Sequence, residues 1–214
     1  MTRPLPGAPS RRERHKQDKR ARIQAAALSL FTQQGYEATT IRQIAAEADV
    51  APGTVFRYAT DKADLLLMVF HDVIAQAIEE ALAPERLSGP LFQVLPGLFD
   101  PFFAFYEARP ALASDFLRLV LFHDSPQRTR ELEQGHAFVE QLAGLLRARQ
   151  QAGEVATDLD PATAAFAIFS LYQACLVGWL SGGGTLAHAR EQLAALLGLQ
   201  SRALQASAAA RGPA

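Results

Sequence analysis

The chain predicts an all-α protein in which a small three-helix amino-terminal unit precedes a larger helical bundle. Three observations predict it. Apolar residues recur at helical spacing in most segments, no stretch alternates in the manner of a strand, and Pro or Gly clusters cut the sequence at intervals of one or two helices. With 214 residues, 49% of them hydrophobic and 20% charged, the composition is globular rather than disordered.

Residues 1–10 carry three prolines and no apolar period. With the basic run that follows (Arg11, Arg12, Arg14, Lys16, Lys19, Arg20, Arg22), they are expected to form a disordered basic arm over 1–19. A first helix then places Ile23, Ala26, Ala27, Leu30 and Phe31 on one face and stops at Gly35. Thr40 and Gln43 fit a capping box at the start of a second helix, whose buried face is Ile41, Ile44, Ala45 and Ala48. Asp49 and Val50 make a tight turn. Pro52 suits the first position of a short third helix reaching about Tyr58, because its missing amide would be unpaired there. Thr60 is the expected cap of a fourth helix running to about Leu82.

Pro84 to Pro90 is the first strong break. Beyond it, helices are expected over 91–108, 111–123, 127–151, 161–181 and 186–205, with Asp160 and Pro161 as a cap and first turn. The expected organisation is an arm (1–19), the three-helix unit (20–66), a helical body (67–206) and a disordered tail (207–214).

Net charge is −1, but it is unevenly spread. Residues 1–62 hold eleven Lys and Arg against six Asp and Glu, whereas the remainder holds ten against sixteen. A basic unit on an acidic body fits a phosphate-bearing partner for the first part alone. The segment 40–58 has the spacing of a helix-turn-helix, in which one helix crosses a DNA backbone and the next enters the major groove. Ile44 and Ala45 facing Val50 and Val55 supply its core, and the small Ala45 lets the two helices cross closely.

Between Ile23 and Leu66 the pattern AA..LF...GY..TT...IA..A.V..GT...Y...K..L resembles the TetR family of helix-turn-helix transcriptional regulators. It is carried by Ala26, Ala27, Leu30, Phe31, Gly35, Tyr36, Thr39, Thr40, Ile44, Ala45, Ala48, Val50, Gly53, Thr54, Tyr58, Lys62 and Leu65. The resemblance implies a sequence-specific DNA-binding regulator, a repressor released from its operator by a small apolar ligand. The alternative is a regulator that binds DNA constitutively, or answers to a protein partner, with no small-molecule inducer. DNA contact is expected from Thr39, Thr40, Arg42, Pro52, Gly53, Thr54, Phe56, Arg57, Tyr58 and Lys62. Arg57 is the candidate for a bidentate guanine contact, and Lys62 resembles the family's phosphate-binding lysine. Asp49 stands where the family usually has glycine; Asp tolerates a left-handed turn at greater cost.

The body is dense in aromatic residues, which more often form core than line a site, though pockets between bundle helices are common. The expected ligand set is Phe102, Phe103, Tyr106, Phe116, Phe122, Phe138, Phe169 and Tyr172, with Arg118, His123, His136 and Gln173 to orient a small hydrophobic molecule. The span 162–180 has no charged residue, long enough for a membrane helix, yet it is only mildly apolar and lacks flanking basic clusters. It is therefore expected to be buried between subunits of a homodimer, with Phe166, Phe169, Leu176, Leu180, Leu193, Leu196, Leu197 and Leu204 at the interface. A two-fold dimer would present two recognition helices to a palindromic operator.

No Gly-rich phosphate loop, zinc spacing or nucleophile motif is present, so neither an enzyme, a cofactor nor a metal is expected. The single Cys175 fits a reducing cytoplasm. No membrane partner is expected.

Overall fold

The computed structural model describes residues 10–209, with side chains to Arg202. Ten α-helices and one 3₁₀ turn make up the regular structure of the described residues. Helix α1 (Arg11–Gln34) begins nine residues earlier than the boundary expected for the ordered unit. Ser10 and Glu13 form a reciprocal capping box, Glu13 N to Ser10 Oγ at 3.2 Å and Ser10 N to Glu13 Oε2 at 2.9 Å. Those bonds hold the Glu13 carboxyl below its usual range. No Pro or Gly interrupts the twenty-four residues that follow. The expected disordered arm is thus helical from residue 11, and its first nine residues lie outside the described residues.

Gly35, at φ 86°, ends α1. Helix α2 (Ile41–Glu47) starts on the Thr40–Gln43 capping box, as its sequence spacing indicates. Asp49 occupies the left-handed region at φ 51° and is the only non-Gly residue with positive φ among the described residues. Helix α3 (Pro52–Val55) is shorter than expected. Arg57 N bonds to Thr54 O at 3.2 Å and Tyr58 N to Val55 O at 2.9 Å, so the last residues are wound as tight i to i+3 turns. Ile23, Ala27, Phe31, Ile44, Ala45 and Val55 close the core of this unit.

Helix α4 (Lys62–Ala81) is capped by Asp61, not Thr60. Thr60 instead donates its backbone N–H and its hydroxyl to Asp64 Oδ2, at 2.8 and 3.2 Å. Leu65, Leu66, Leu67, Met68, Val69 and Phe70 are all buried in succession, because α4 meets α1 on one side and the body on the other. Fully burying each large side chain contributes about 1.5–3 kcal/mol.

The single helix expected over 91–108 is broken into α5 (Leu91–Val94), a 3₁₀ turn (Leu95–Gly97) and α6 (Asp100–Glu107). Pro96 and Pro101 each lack the amide that would continue the ladder. Helices α7 (Pro110–Phe122), α8 (Pro126–Gln151), α9 (Pro161–Leu180) and α10 (Leu186–Ala209) complete the body. Asp160 caps α9 through Thr163 N at 2.9 Å. Helix α10 runs on to Ala209, so residues 207–209 of the expected tail are helical; 210–214 lie outside the described residues.

Aromatic stacking binds the body together. Phe99 lies flat on Tyr172 at 4.4 Å between centroids, and Phe70 of α4 on Phe116 of α7 at 4.3 Å. Among the described residues α9 is the one helix long and apolar enough to cross a membrane. It packs between α8 and α10, with Ala165, Ile168, Tyr172 and Leu176 in the core.

A buried polar tie joins the head to the body. The buried Asp64 carboxylate accepts from Thr60 through Oδ2 and from Gln127 N, at the start of α8, through Oδ1 at 3.1 Å. Asp64→Ala leaves both amides without their acceptor. It is expected to lower unfolding stability by about 2–3 kcal/mol in a urea titration, with the transition midpoint falling accordingly.

Candidate nucleic-acid interface and body cavity

The turn and α3 form the outermost edge of the amino-terminal unit. Thr40, Arg42, Pro52, Gly53, Phe56 and Arg57 are exposed along it, and Thr54 and Tyr58 are half-buried. The side chains of Arg42 and Arg57 make no hydrogen bond or ion pair among the described residues. A Cβ at Gly53 would meet nothing within 4 Å, so the backbone there is open to close approach. Phe56, at 55% exposure, is an apolar side chain standing in solvent next to Arg57 in the chain. The exposed first turns of α1 carry Arg11, Arg12, Arg14, Lys16 and Lys19.

Three expected contact residues are engaged inside the protein. Thr39 is buried, and its hydroxyl donates to Gly35 O at 2.7 Å while accepting from Gln34 Nε2 at 3.1 Å. It clips the loop after α1 rather than facing outward. Lys62 Nζ donates to Tyr36 O at 2.8 Å and Glu37 O at 3.1 Å, and lies 4.3 Å from the centre of the Tyr36 ring. Burial, reinforced by Asp61 and Glu37, pushes the Tyr36 phenol up to about 12. Tyr58 donates its hydroxyl to Lys16 O at 3.2 Å, joining α3 to α1.

Behind this unit, α4, α6, α7, α8 and α9 line a partly open cavity of about 180 Å³. Phe102, Tyr106, Phe116, Phe138, Phe169, Tyr172 and Gln173 of the expected ligand set line it, as does His136. Leu121 and Leu132, both largely exposed, stand at its rim. Four of the expected residues lie elsewhere. Phe103 packs against Trp179 in the core, at 6.3 Å between centroids. Arg118 is exposed and pairs with Asp115 at 3.1 Å and Glu37 at 3.6 Å. Phe122, at the end of α7, is 83% exposed. His123 Nε2 sits 3.4 Å from Asp61 Oδ2, turned toward the head. These four share the aromatic or basic character of a site, but Phe103, Arg118 and Phe122 do not line the cavity from their helices and His123 lies just past the end of α7.

Residues the sequence reading missed make the polar part of the wall. Glu131 and Gln134 of α8 line the cavity, as do Ile74 and Ile78 of α4. Glu131 Oε1 is 2.9 Å from His71 Nδ1, and Gln134 Nε2 donates to His71 O at 3.1 Å. Burial drives the Glu131 carboxyl up, and the His71 contact partly offsets it. Burial likewise pushes the Tyr106 and Tyr172 phenols up, so both stay neutral. The spacing 131, 134, 138, 142 puts Glu131 and Gln134 on the face of Phe138 and Leu142. Polar residues on an otherwise apolar stripe were the available signal.

Leu176, Leu193 and Leu197, expected between subunits, are buried within the chain's own core. The last helices fold back on the same body and use those leucines to do so. Phe169 lines the cavity, Leu180 and Leu196 are half-buried, and Phe166 is 63% exposed. The side chain of Leu204 lies outside the described residues.

Residues 23–69 match the family model described as bacterial regulatory proteins, tetR family. That stretch holds the second half of α1, the helix-turn-helix and the start of α4. The helix-turn-helix unit is thus similar to that of the TetR family. It is 34% identical over 127 residues to the HTH-type transcriptional regulator HbdR of Aromatoleum sp., covering 54% of this chain and 55% of that one. The chain thus spans about half the length of that relative. It is 29% identical over 179 residues to the HTH-type transcriptional repressor KstR of Mycobacterium tuberculosis, covering 82% and 74%. A crystal structure of Thermus thermophilus FadR, a TetR-family transcriptional repressor in complex with lauroyl-CoA, is similar with a TM-score of 0.68 and 26% identity. It covers 83% of this chain and 92% of that one. The all-α architecture, head and larger body, is similar to that of the Thermus regulator.

The Glu131 environment carries a pH signature. Its pKa in the folded chain lies above the ordinary 4.5, so between those values the folded state holds a proton that the unfolded state has released. Stability is therefore expected to fall as pH rises from 4.5 through the raised pKa. The difference between wild type and Glu131→Gln, read from urea midpoints across that range, should show this decline; identical pH profiles would contradict it.

Proposed function

We propose that the chain is a sequence-specific DNA-binding transcriptional repressor that a small apolar ligand releases from its operator. The carrying observation is that α4 serves two purposes. Its first residues hold the helix-turn-helix through Lys62 and Asp64, and its later residues, Ile74 and Ile78, form the cavity wall. A ligand that fits better against one position of α4 shifts the population of that position, and with it the attitude of the reading edge. The relatives named as repressors, and the lauroyl-CoA bound by the Thermus regulator, support both halves of the reading.

In this reading Arg57 and Arg42, exposed and unpaired, supply the base and phosphate contacts of the major-groove face, with Thr40, Pro52, Gly53, Thr54, Phe56 and Tyr58 around them. Lys62 positions the loop after α1 beside the phosphates. The exposed basic face of α1 adds charge next to the same groove. Two chains associate through α9 and α10, where Phe166, Val177 and Leu199 are exposed large apolar residues with Leu180 and Leu196 partly buried beside them. The two-fold axis then spaces two reading edges for consecutive major grooves of a palindromic operator, in the cytoplasm of the cell. Apolar α9 is thereby covered by protein rather than by a membrane.

Arg57→Ala is expected to relax sequence preference by about 1–3 kcal/mol at the position it reads, measured by selection from random duplexes followed by binding isotherms. Affinity of the unsubstituted protein for its selected site should fall steeply with added salt, as counterions are displaced from each neutralised phosphate. Unchanged preference in Arg57→Ala would displace α3 from the groove. Phe166→Glu places a charge in the proposed subunit interface. Sedimentation should then report a monomer, and operator affinity should drop at least tenfold, roughly the loss that 1.4 kcal/mol represents.

A further inference from the structure

The cavity has a buried floor and an apolar rim that stands in water. Phe102, Tyr106, Phe138 and Tyr172 on the floor are each at most 4% exposed. On the rim, Leu121 of α7 is 48% exposed and Leu132 of α8 41%, while Phe169 and Gln173 of α9 are half-buried. The opening therefore lies among α7, α8 and α9. On α9, Phe166, Phe169, Gln173 and Val177 stand at i, i+3, i+7 and i+11, which is one face of a helix. The middle two line the cavity, and the outer two are 63% and 38% exposed. The opening thus falls inside the apolar stripe that this chain leaves uncovered, not around the helix from it. Phe166 and Val177 are separated by roughly 16 Å along the axis, so whatever covers both of them along this face crosses the mouth between them.

Charge indicates the occupant. From Ala162 to Leu180, α9 carries no charged side chain. A two-fold axis sets a face against its own copy, where any charge would meet its like; this face has none to meet. Resting on the dimeric, ligand-released reading above, we propose that the second copy forms the outer wall of each cavity. Its α9 lies across the opening, and the site is complete only in the pair. A ligand in the single chain keeps one side wet, whereas in the pair protein covers it all round. Affinity is therefore higher in the dimer, and by reciprocity each bound ligand tightens the dimer by the same factor. A tenfold preference at each of two sites lowers the dimer dissociation constant a hundredfold. Release from DNA then proceeds by re-aiming two heads within an intact pair, not by separating the chains.

The test is alkylation of a thiol placed at the opening. Gln173→Cys supplies it, and the native Cys175, only 3% exposed, reports unfolding in the same chain if it reacts. Iodoacetamide rates are read by mass spectrometry where sedimentation reports the dimer. They are expected to be at least tenfold slower than in the monomeric double variant Gln173→Cys, Phe166→Glu. The added carboxylate disfavours a thiolate, so a faster reaction in the double variant comes from exposure and not from charge. Where alkylation of Cys175 shows that variant to be unfolded, dilution of Gln173→Cys below its dimer dissociation constant supplies the monomer instead. Equal rates in dimer and monomer overturn the proposal. So does a double variant that stays dimeric, or an unsubstituted chain still monomeric at roughly 0.1 mM. Toluene is titrated into both forms by calorimetry, since a cavity of about 150 Å³ holds a benzene ring and this one has about 180 Å³. It is expected to bind the dimer at least tenfold tighter, and equal binding by both forms overturns the proposal. Toluene bound by neither form refutes the ligand reading, while the thiol rates decide separately whether the second copy covers the mouth.

Discussion

Helix α4 is buried along both flanks, and most of the molecule is arranged around that constraint. Six consecutive residues from Leu65 to Phe70 are buried, which an ordinary surface helix with one apolar stripe cannot sustain. Ile23 and Phe31 of α1 and, on the body side, Phe116 of α7 stacked on Phe70 all belong to one continuous core. Because interiors are close-packed and respond to changes of a single methylene, neither end of that core can shift without disturbing the shared helix. A change of wall on the body side is therefore felt at the amino-terminal side with little slack.

Polar bonds sharpen that connection where the two parts meet. Gln127 at the first turn of α8 gives its amide to Asp64 and its side-chain Nε2–H to Tyr58 O, at 3.1 Å in each case. One helix of the body is thus bonded to the start of α4 and to the last residue of the recognition segment at once. Two turns of α8 further on, Gln134 and Glu131 bond to His71 from the cavity side. On the opposite flank, Arg20 and Gln24 of α1 reach Asp72, at 3.0 and 2.7 Å. Hydrogen bonds to charged groups are the stronger kind, and several here are half-buried, where the lower dielectric strengthens them. The head sits on the body through directional contacts as well as through apolar packing, which gives it a defined attitude.

The basic charge follows the same division. The exposed cations of α1 and the two unpaired arginines of the helix-turn-helix lie on the amino-terminal side, while Lys62 is drawn into the loop by two carbonyl oxygens and the Tyr36 ring. A lysine in that position can order the loop beside a phosphate with part of its own charge already spent on the protein. Thr39 has gone further in the same direction and is wholly internal.

Local signals were legible wherever a few neighbouring residues settle the geometry. The Thr40–Gln43 box, Pro52 at a first helical position, Asp160 before Pro161 and the apolar stripe of α1 each specify backbone bonds within one turn, and the sequence by itself determined them. The Ser10–Glu13 box was equally local but lay behind a basic run that reads as an arm, and Pro96 and Pro101 were local breaks absorbed into one long helix. What only the tertiary structure decided was which face each helix buries. Leu176, Leu193 and Leu197 have the spacing of an interface seam, yet a leucine stripe packs equally well against its own chain. Phe122 and Phe102 have the same side chain, and only helix packing sends one into solvent and the other to the cavity. Glu131 and Gln134 became neighbours of His71 across sixty residues of sequence because α8 lies along α4. Periodicity reports that a face exists; the partner it meets depends on how all the faces pack together.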